Sequence, residues 1–248
     1  MPMREYRTLR VERGHDRVVV TLYRPDKRNA IDAEMVDELH QVCAELERDP
    51  KLLLLTGGTD GIFAAGADIA QLRDRDRYDA LAGINHGIMA HLRSLPMPSL
   101  AAVDGPALGG GAELAYACDI RICTDRSFFG QPEVRLGIVA GAGALYRLPQ
   151  LVGESLAKEL LYTGRRLTAT EAASVRLVSR VVAPDELLPT AHALLDKMSK
   201  VSPLALRLTK LAVDTPADAH PQVERLAQAV LFEDEEKRRR MTEFLDRR

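Results

Sequence analysis

The residues whose types could do chemistry are two carboxylates and the glycine-rich turns around them. Gly109, Gly110 and Gly111 head a small-residue helix, after a short apolar strand at 100–103 and a Gly-Pro turn. Glycines at a helix start leave backbone N–H groups uncovered, with no Cβ to hold a ligand away. A helix start also favours negative charge, either a phosphate or a developing oxyanion. Glu113 lies about one turn inside that helix. N–H donors beside an acid/base group are what carbonyl activation requires. The same residues also suit a plain turn that lets helix and strand pack closely, with Glu113 merely exposed. A second Gly/Ala-rich loop, 57–69, follows the apolar strand 51–56, where α/β sheets bind ligands. It has neither the Gly-Lys-Ser/Thr of a phosphate loop nor the glycine spacing of a dinucleotide fingerprint. Glu133 stands in a third such turn, ahead of Gly137, Gly141 and Gly143. The two acids are too far apart in sequence to share a helix face. Only a fold that joins two strand ends can pair them.

The elements that must position these groups read as α/β. Residues 6–12 and 17–23 are β-rich runs around Gly14, a hairpin signal. A polar turn at 24–31 leads into a helix capped by Asp32. Met35, Val36, Leu39, Val42, Cys43 and Leu46 follow helical spacing and mark its core face. The continuous apolar run at 51–56 is of the kind buried on both sides in a parallel sheet. A strand–helix–strand order implies a right-handed crossover. A single helix is predicted over 75–95, stopped by Pro96 and Pro98. Beyond a strand at 120–123 and the glycine-rich turn around Glu133, the remainder of the chain reads as helical. Thr168 and Glu171 fit a capping box, and Ser202-Pro203 opens a further helix. Leu187, Leu188, Ala191, Leu194, Leu195 and Met198 repeat the core spacing, and helices follow at 223–232 and 237–245.

Composition excludes several classes. A net charge of −2 over 248 residues makes no electrostatic case for nucleic acid or an anionic membrane. The longest purely aliphatic run, 52–55, is far too short to span a bilayer. Cys43, Cys118 and Cys123 form no Cys-x-x-Cys pair and read as reduced thiols of a cytoplasmic protein, not a disulfide frame or zinc site. The opening Met-Pro-Met-Arg-Glu lacks an apolar core, so no secretory leader is expected. His86 and His91 lack metal-ligand company and read as structural or exposed.

Phe63-Ala-Ala-Gly-Ala-Asp-Ile69, Asp104-Gly-Pro-Ala-Leu-Gly-Gly-Gly-Ala-Glu113 and Phe129-Gly-Gln-Pro-Glu133 resemble the signature blocks of the crotonase (enoyl-CoA hydratase/isomerase) superfamily. Arg24-Pro-Asp-Lys-Arg-Asn-Ala-Ile31 resembles the family's entry to its first helix. The blocks occur in the expected order along nearly the whole chain. The resemblance implies a spiral of repeated β-β-α units over 1–190, carrying an acyl-CoA site. A helical region over 191–248 would build a homotrimer or homohexamer. It implies Ala64 and Gly110 as the two oxyanion-hole N–H groups. Ala65, Gly66, Ala67, Asp68 and Ile69 would line the coenzyme A path. Glu113 and Glu133 match the two acids of family hydratases. No separate cofactor is implied, coenzyme A being part of the thioester substrate. The implied activity is hydration of a trans-2-enoyl-CoA. An isomerase relying on Glu133, or a scaffold that binds coenzyme A without turnover, are the alternatives.

Departures from the pattern are local. Ala144, Leu145 and Tyr146 replace small or polar residues of the family, which would make the preferred acyl chain unusual if they line the acyl pocket. Arg176 stands where relatives end a helix with glycine, so that turn needs another C-cap. Arg239-Arg-Met241 replaces an acidic residue and glycine. The run 233–240 reads as a solvated helix face, its arginines being alternative partners for coenzyme A phosphates.

Overall fold

A computed structural model describes residues 6–247, so the reading of the first five residues lies outside it. The chain starts with the expected hairpin, β1 (Leu9–Arg13) and β2 (Arg17–Leu22), antiparallel with Leu9 opposite Leu22. Helix α1 (Ala33–Arg48) follows, its first turn held by the Asp32 carboxylate, which accepts from the Met35 N–H at 2.9 Å. All six residues of the predicted core face are buried. Strand β3 (Leu52–Thr56) then lies parallel to β2.

The single helix predicted over 75–95 is instead two, preceded by a third. They are α2 (Ile69–Asp74), α3 (Arg77–Ala82) and α4 (Ile84–Arg93). Asp76 opens α3 with a capping box, and Gly83, at φ 64°, breaks the chain between α3 and α4. A left-handed residue ends a helix whatever the propensity of its neighbours.

Strand β4 (Ser99–Val103) joins the large sheet, β5 (Pro106–Leu108) starts a small one, and α5 (Gly110–Ala117) follows. The path repeats with β6 (Ile120–Thr124) in the large sheet and β7 (Phe128–Gly130) in the small. Helices α6 (Ala144–Val152) and α7 (Glu154–Thr163) come next. Strand β8 (Arg166–Thr168), α8 (Ala169–Ser174) and β9 (Arg180–Val182) complete the turn. The large sheet runs β1-β2-β3-β4-β6-β9 and the small one β5-β7-β8. The Thr168–Glu171 capping box is present, and Arg176 takes the left-handed conformation itself, at φ 62°. For a non-glycine residue that costs about 1 kcal/mol.

The central strands β3 and β4 of the large sheet are buried on both faces. Leu53, Leu55, Ala101 and Val103 pack with α1, α4 and α5, while Leu52, Leu54, Leu100 and Ala102 pack against Leu187, Ala191 and Leu195. Those three belong to α9 (Leu187–Ser199), so the expected boundary at 190/191 falls inside a helix that covers the sheet. Beyond it come α10 (Pro203–Asp214), α11 (Gln222–Phe232) and α12 (Glu235–Asp246), in which no described side chain is buried. Ser202 caps α10, its hydroxyl accepting from the Ala205 N–H. On α12, Arg239 and Arg240 pair with Glu236 of the same helix. No helix among the described residues is long and apolar enough to cross a membrane.

Candidate active site

The 57–69 loop is held by main-chain bonds from both sides. Asn29, itself left-handed at φ 54°, donates its amide to the carbonyls of Ile62 and Phe63, 3.2 Å each. Ile31 donates to the Gly66 carbonyl and accepts from the Asp68 N–H, both at 2.8 Å, and Ala65 donates to the Arg28 carbonyl. On the other side Ala64 pairs with β5: its N–H donates to the Pro106 carbonyl and its carbonyl accepts from Leu108, 3.1 Å each. Close approach to α5 needs the third of the three helix glycines to lack a side chain. A Cβ on Gly111 would stand 2.4 Å from the Ala64 oxygen.

That pairing corrects one expectation. The Ala64 N–H is spent on Pro106 and the residue is fully buried, so it offers no donor to a ligand. The N–H of Ala67 is free instead: no acceptor among the described residues takes it. Gly110 faces it, close enough that a Cβ there would lie 3.4 Å from the Ala67 nitrogen. As the first residue of α5, Gly110 has no intrahelical acceptor for its own N–H. Two free donors therefore meet beside a cavity of about 850 Å³. Ala67 sits opposite Ile31 in a parallel bridge whose bonds are made by Gly66 and Asp68, so its own N–H points away from the pairing.

Ala65, Gly66, Ala67 and Ile69 line this cavity, but Asp68 does not. Its carboxylate caps α2, accepting from Ala70 at 3.1 Å, and pairs with Arg24 at 3.3 Å. Local capping has taken the side chain away from the coenzyme A path expected for it.

Both acids line the cavity, supplied by elements that neither share a helix nor adjoin in sequence. Glu113, from α5, is 4 % exposed, and one oxygen accepts from the N–H groups of Ala142 (2.9 Å) and Ala144 (3.0 Å). Burial raises its pKa, while the two donors pull the other way. Glu133 opens a short 3-10 turn, Glu133–Leu136, after β7. Burial pushes its pKa up to about 7, and the nearby Glu113 carboxylate acts in the same direction. Its Oε1 lies where a Cβ on Gly109 would stand, 2.7 Å away, which accounts for the first of the three glycines. Leu72, Ile84, Leu136, Ile138 and Val139 supply apolar walls.

The segment 140–146 acts differently from what its side chains suggest. Gly141 and Ala142 reach the cavity, whereas Ala144, Leu145 and Tyr146 do not. Ala144 is buried and contributes its N–H to Glu113, while Leu145 and Tyr146 are partly exposed, Tyr146 lining a separate cleft beside α10. These three residues therefore do not line the cavity. His86, read as structural or exposed, does line the cavity, with its ring 6.3 Å from that of Tyr146. His91 bonds His40 at 2.8 Å and meets Glu47 at 3.1 Å. No cluster of three or more His, Cys, Asp or Glu among the described residues could hold a metal ion.

Comparison with known proteins agrees with this architecture. The enoyl-CoA hydratase/isomerase family model matches residues 14–248. The short-chain-enoyl-CoA hydratase of Clostridium acetobutylicum is 38 % identical, over 93 % of this chain and 91 % of the relative. The crotonyl-CoA hydratase of Syntrophomonas wolfei is 36 % identical, over 98 % and 96 %. Among solved structures, the enoyl-CoA hydratase of Bacillus anthracis superposes with a TM-score of 0.92 at 30 % identity, covering 98 % of this chain and 97 % of that one. With the strand–strand–helix path and the paired acids already in place, the match along nearly the whole length shows that the chain belongs to the enoyl-CoA hydratase/isomerase family.

Proposed function

We propose that the protein is an enoyl-CoA hydratase that adds water across the double bond of a trans-2-enoyl-CoA. The observation that carries this reading is a buried and a half-buried glutamate, Glu113 and Glu133, facing one cavity beside two free main-chain donors. The thioester oxygen accepts from the N–H groups of Ala67 and Gly110. This makes the β-carbon electrophilic and stabilises the enolate that forms on attack. A donor of this kind is worth ~10²–10³ in rate.

Glu113 and Glu133 divide the proton work. Burial raises the Glu113 pKa and the two N–H donors on one of its oxygens offset part of that pull; in its ionised form it takes a proton from water as the water oxygen bonds to the β-carbon. Glu133, with its pKa near 7, carries a proton in neutral solution for part of the population and delivers it to the α-carbon. The product is a 3-hydroxyacyl-CoA. The two carboxyls titrate as a coupled pair.

Coenzyme A would run along Ala65, Gly66, Ala67 and Ile69, where small side chains expose the backbone. Apolar residues left exposed on the terminal helices, among them Leu211, Leu226 and Val230, support burial against further copies in a homotrimer or homohexamer. Hydration of crotonyl-CoA, followed by loss of the enoyl absorbance, tests the activity. Glu113→Gln and Glu133→Gln should each lower kcat by ~10²–10⁴. If only Glu133→Gln matters and 3-enoyl-CoA is the better substrate, the isomerase reading replaces this one.

A further inference from the structure

A buried carboxylate outside the cavity takes no part in the proposed reaction. Asp104, 0 % exposed, follows β4 and stands two residues before Pro106, whose carbonyl takes the Ala64 N–H. Its Oδ2 accepts from the Gly61 N–H at 3.2 Å and its Oδ1 from the Thr124 hydroxyl at 2.9 Å. Arg126 closes on both oxygens, with Nε 2.7 Å from Oδ1 and Nη2 on Oδ2. The same Nη2 donates to the Thr59 carbonyl at 3.3 Å. A guanidinium fork on a carboxylate fixes orientation as well as charge. One side chain thus joins the 57–69 loop, the β4–β5 turn and the β6–β7 turn. Those segments lead to the Ala67 donor, to Gly110 with Glu113, and to Glu133.

We propose that Asp104, locked by Arg126, is a positioning residue that sets the register of the 57–69 loop against β5, and so decides which main-chain N–H groups face the thioester. Its role in turnover rests on the hydratase reading, whereas the register does not. Only the two bonds between Ala64 and β5 define that register, around an isolated bridge of Ala64 with Ala107. A bridge of one residue pair specifies register weakly. Gly61 and Asp104 each stand three residues ahead of the bridged pair, so their bond fixes the same offset a second time.

The main chain around the clamp is already as close as it can be. Gly105 passes Gly61 so tightly that a Cβ would lie 1.9 Å from the Gly61 oxygen. Ser127 holds the turn from the other side, accepting from the Gly105 N–H at 3.1 Å and donating to the Val103 carbonyl at 2.9 Å. Burial raises the Asp104 pKa, but the Arg126 and Thr124 donors outweigh it and hold the carboxyl below its usual range. The clamp therefore stays charged in neutral solution. A slip of one residue would spend a different alanine N–H, and Ala67 would no longer meet Gly110.

Bound trans-cinnamoyl-CoA tests this in the full-length protein, because its conjugated band moves to longer wavelength as its carbonyl is polarised. Arg126→Ala removes an exposed side chain and unlocks the carboxylate. The red shift should shrink and kcat for crotonyl-CoA should fall about tenfold, with KM within about twofold. Asp104→Asn should reduce both further, since it also weakens the hold on Gly61. Arg17→Ala, which breaks pairs with Asp16 and Asp196 at the other end of β2, should lower Tm while band and kcat stay unchanged. Wild-type red shift and kcat in both clamp variants, whatever their Tm, would overturn the proposal. So would an equal loss of red shift in Arg17→Ala. If Asp104→Asn fails to fold, Arg126→Ala decides alone. A wild type that shifts the band without hydrating crotonyl-CoA sinks the hydratase reading and leaves the clamp readable by the shift. A wild type that binds the probe with no shift overturns both.

Discussion

The site and the terminal helices use the same chain in opposite ways. Around the site, function is built from main chain: the glycines at 109–111 bring α5 against the 57–69 loop so closely that a side-chain carbon has no room at two of them. Glu113 there is buried and its carboxylate is paired with main-chain N–H groups. In α10–α12 no described residue is buried, and apolar side chains such as Leu226 and Val230 remain on the surface. The first region is packed by the chain's own core. The second carries apolar side chains that the fold of one chain does not cover.

Three substitutions would break or sharpen that contrast. Gly111→Ala places a carbon 2.4 Å from the Ala64 carbonyl oxygen, a main-chain atom that cannot step aside. A loss of about 3 kcal/mol in denaturant unfolding is expected, at the upper end for overpacking. A stable Gly111→Ala would mean that the loop is less tightly held than the main-chain bonds indicate. Gly110→Ala is milder in structure because its carbon meets the Ala67 nitrogen at 3.4 Å, ordinary contact. It crowds the space between the two donors, so kcat should fall about 10²-fold while stability changes by about 1 kcal/mol or less. Equal activity in this variant would remove Ala67 and Gly110 from the oxyanion role. Leu226→Asp, on the exposed face of α11, should alter unfolding of the isolated chain by only ~0.5 kcal/mol. Light scattering should show a smaller particle than wild type, and an unchanged mass would separate that face from assembly.

Much of the fold was legible because it rests on local pattern. The core face of α1, from Met35 to Leu46, follows directly from helical spacing, and the apolar run in β3 announced burial on both faces. Caps at Asp32, Thr168 and Ser202 were readable for the same reason, since donor and acceptor lie within one helical turn. The break at Gly83 was hidden by good helix formers on either side. Asp68 shows the reverse: a local cap that the family pattern obscured.

The site was legible in its parts and not in its wiring. Glu113, Glu133 and Gly110 could be named from residue type and motif. Which alanine in 64–67 keeps a free N–H could not, because that depends on the partner each main-chain group finds. Ala64 meets Pro106 and Ala65 meets Arg28, both distant in sequence, and Ala67 is the residue left over. The hold of Ala142 and Ala144 on Glu113 is likewise a product of packing between separate elements. Sequence alone determined the first hairpin, the helix α1, the strand β3, several caps and the chemical groups available, since those obey interactions within a few residues. Tertiary structure decided which hydrogen-bonding groups were spent and which stayed free, because each donor is claimed by whatever acceptor the fold brings to it.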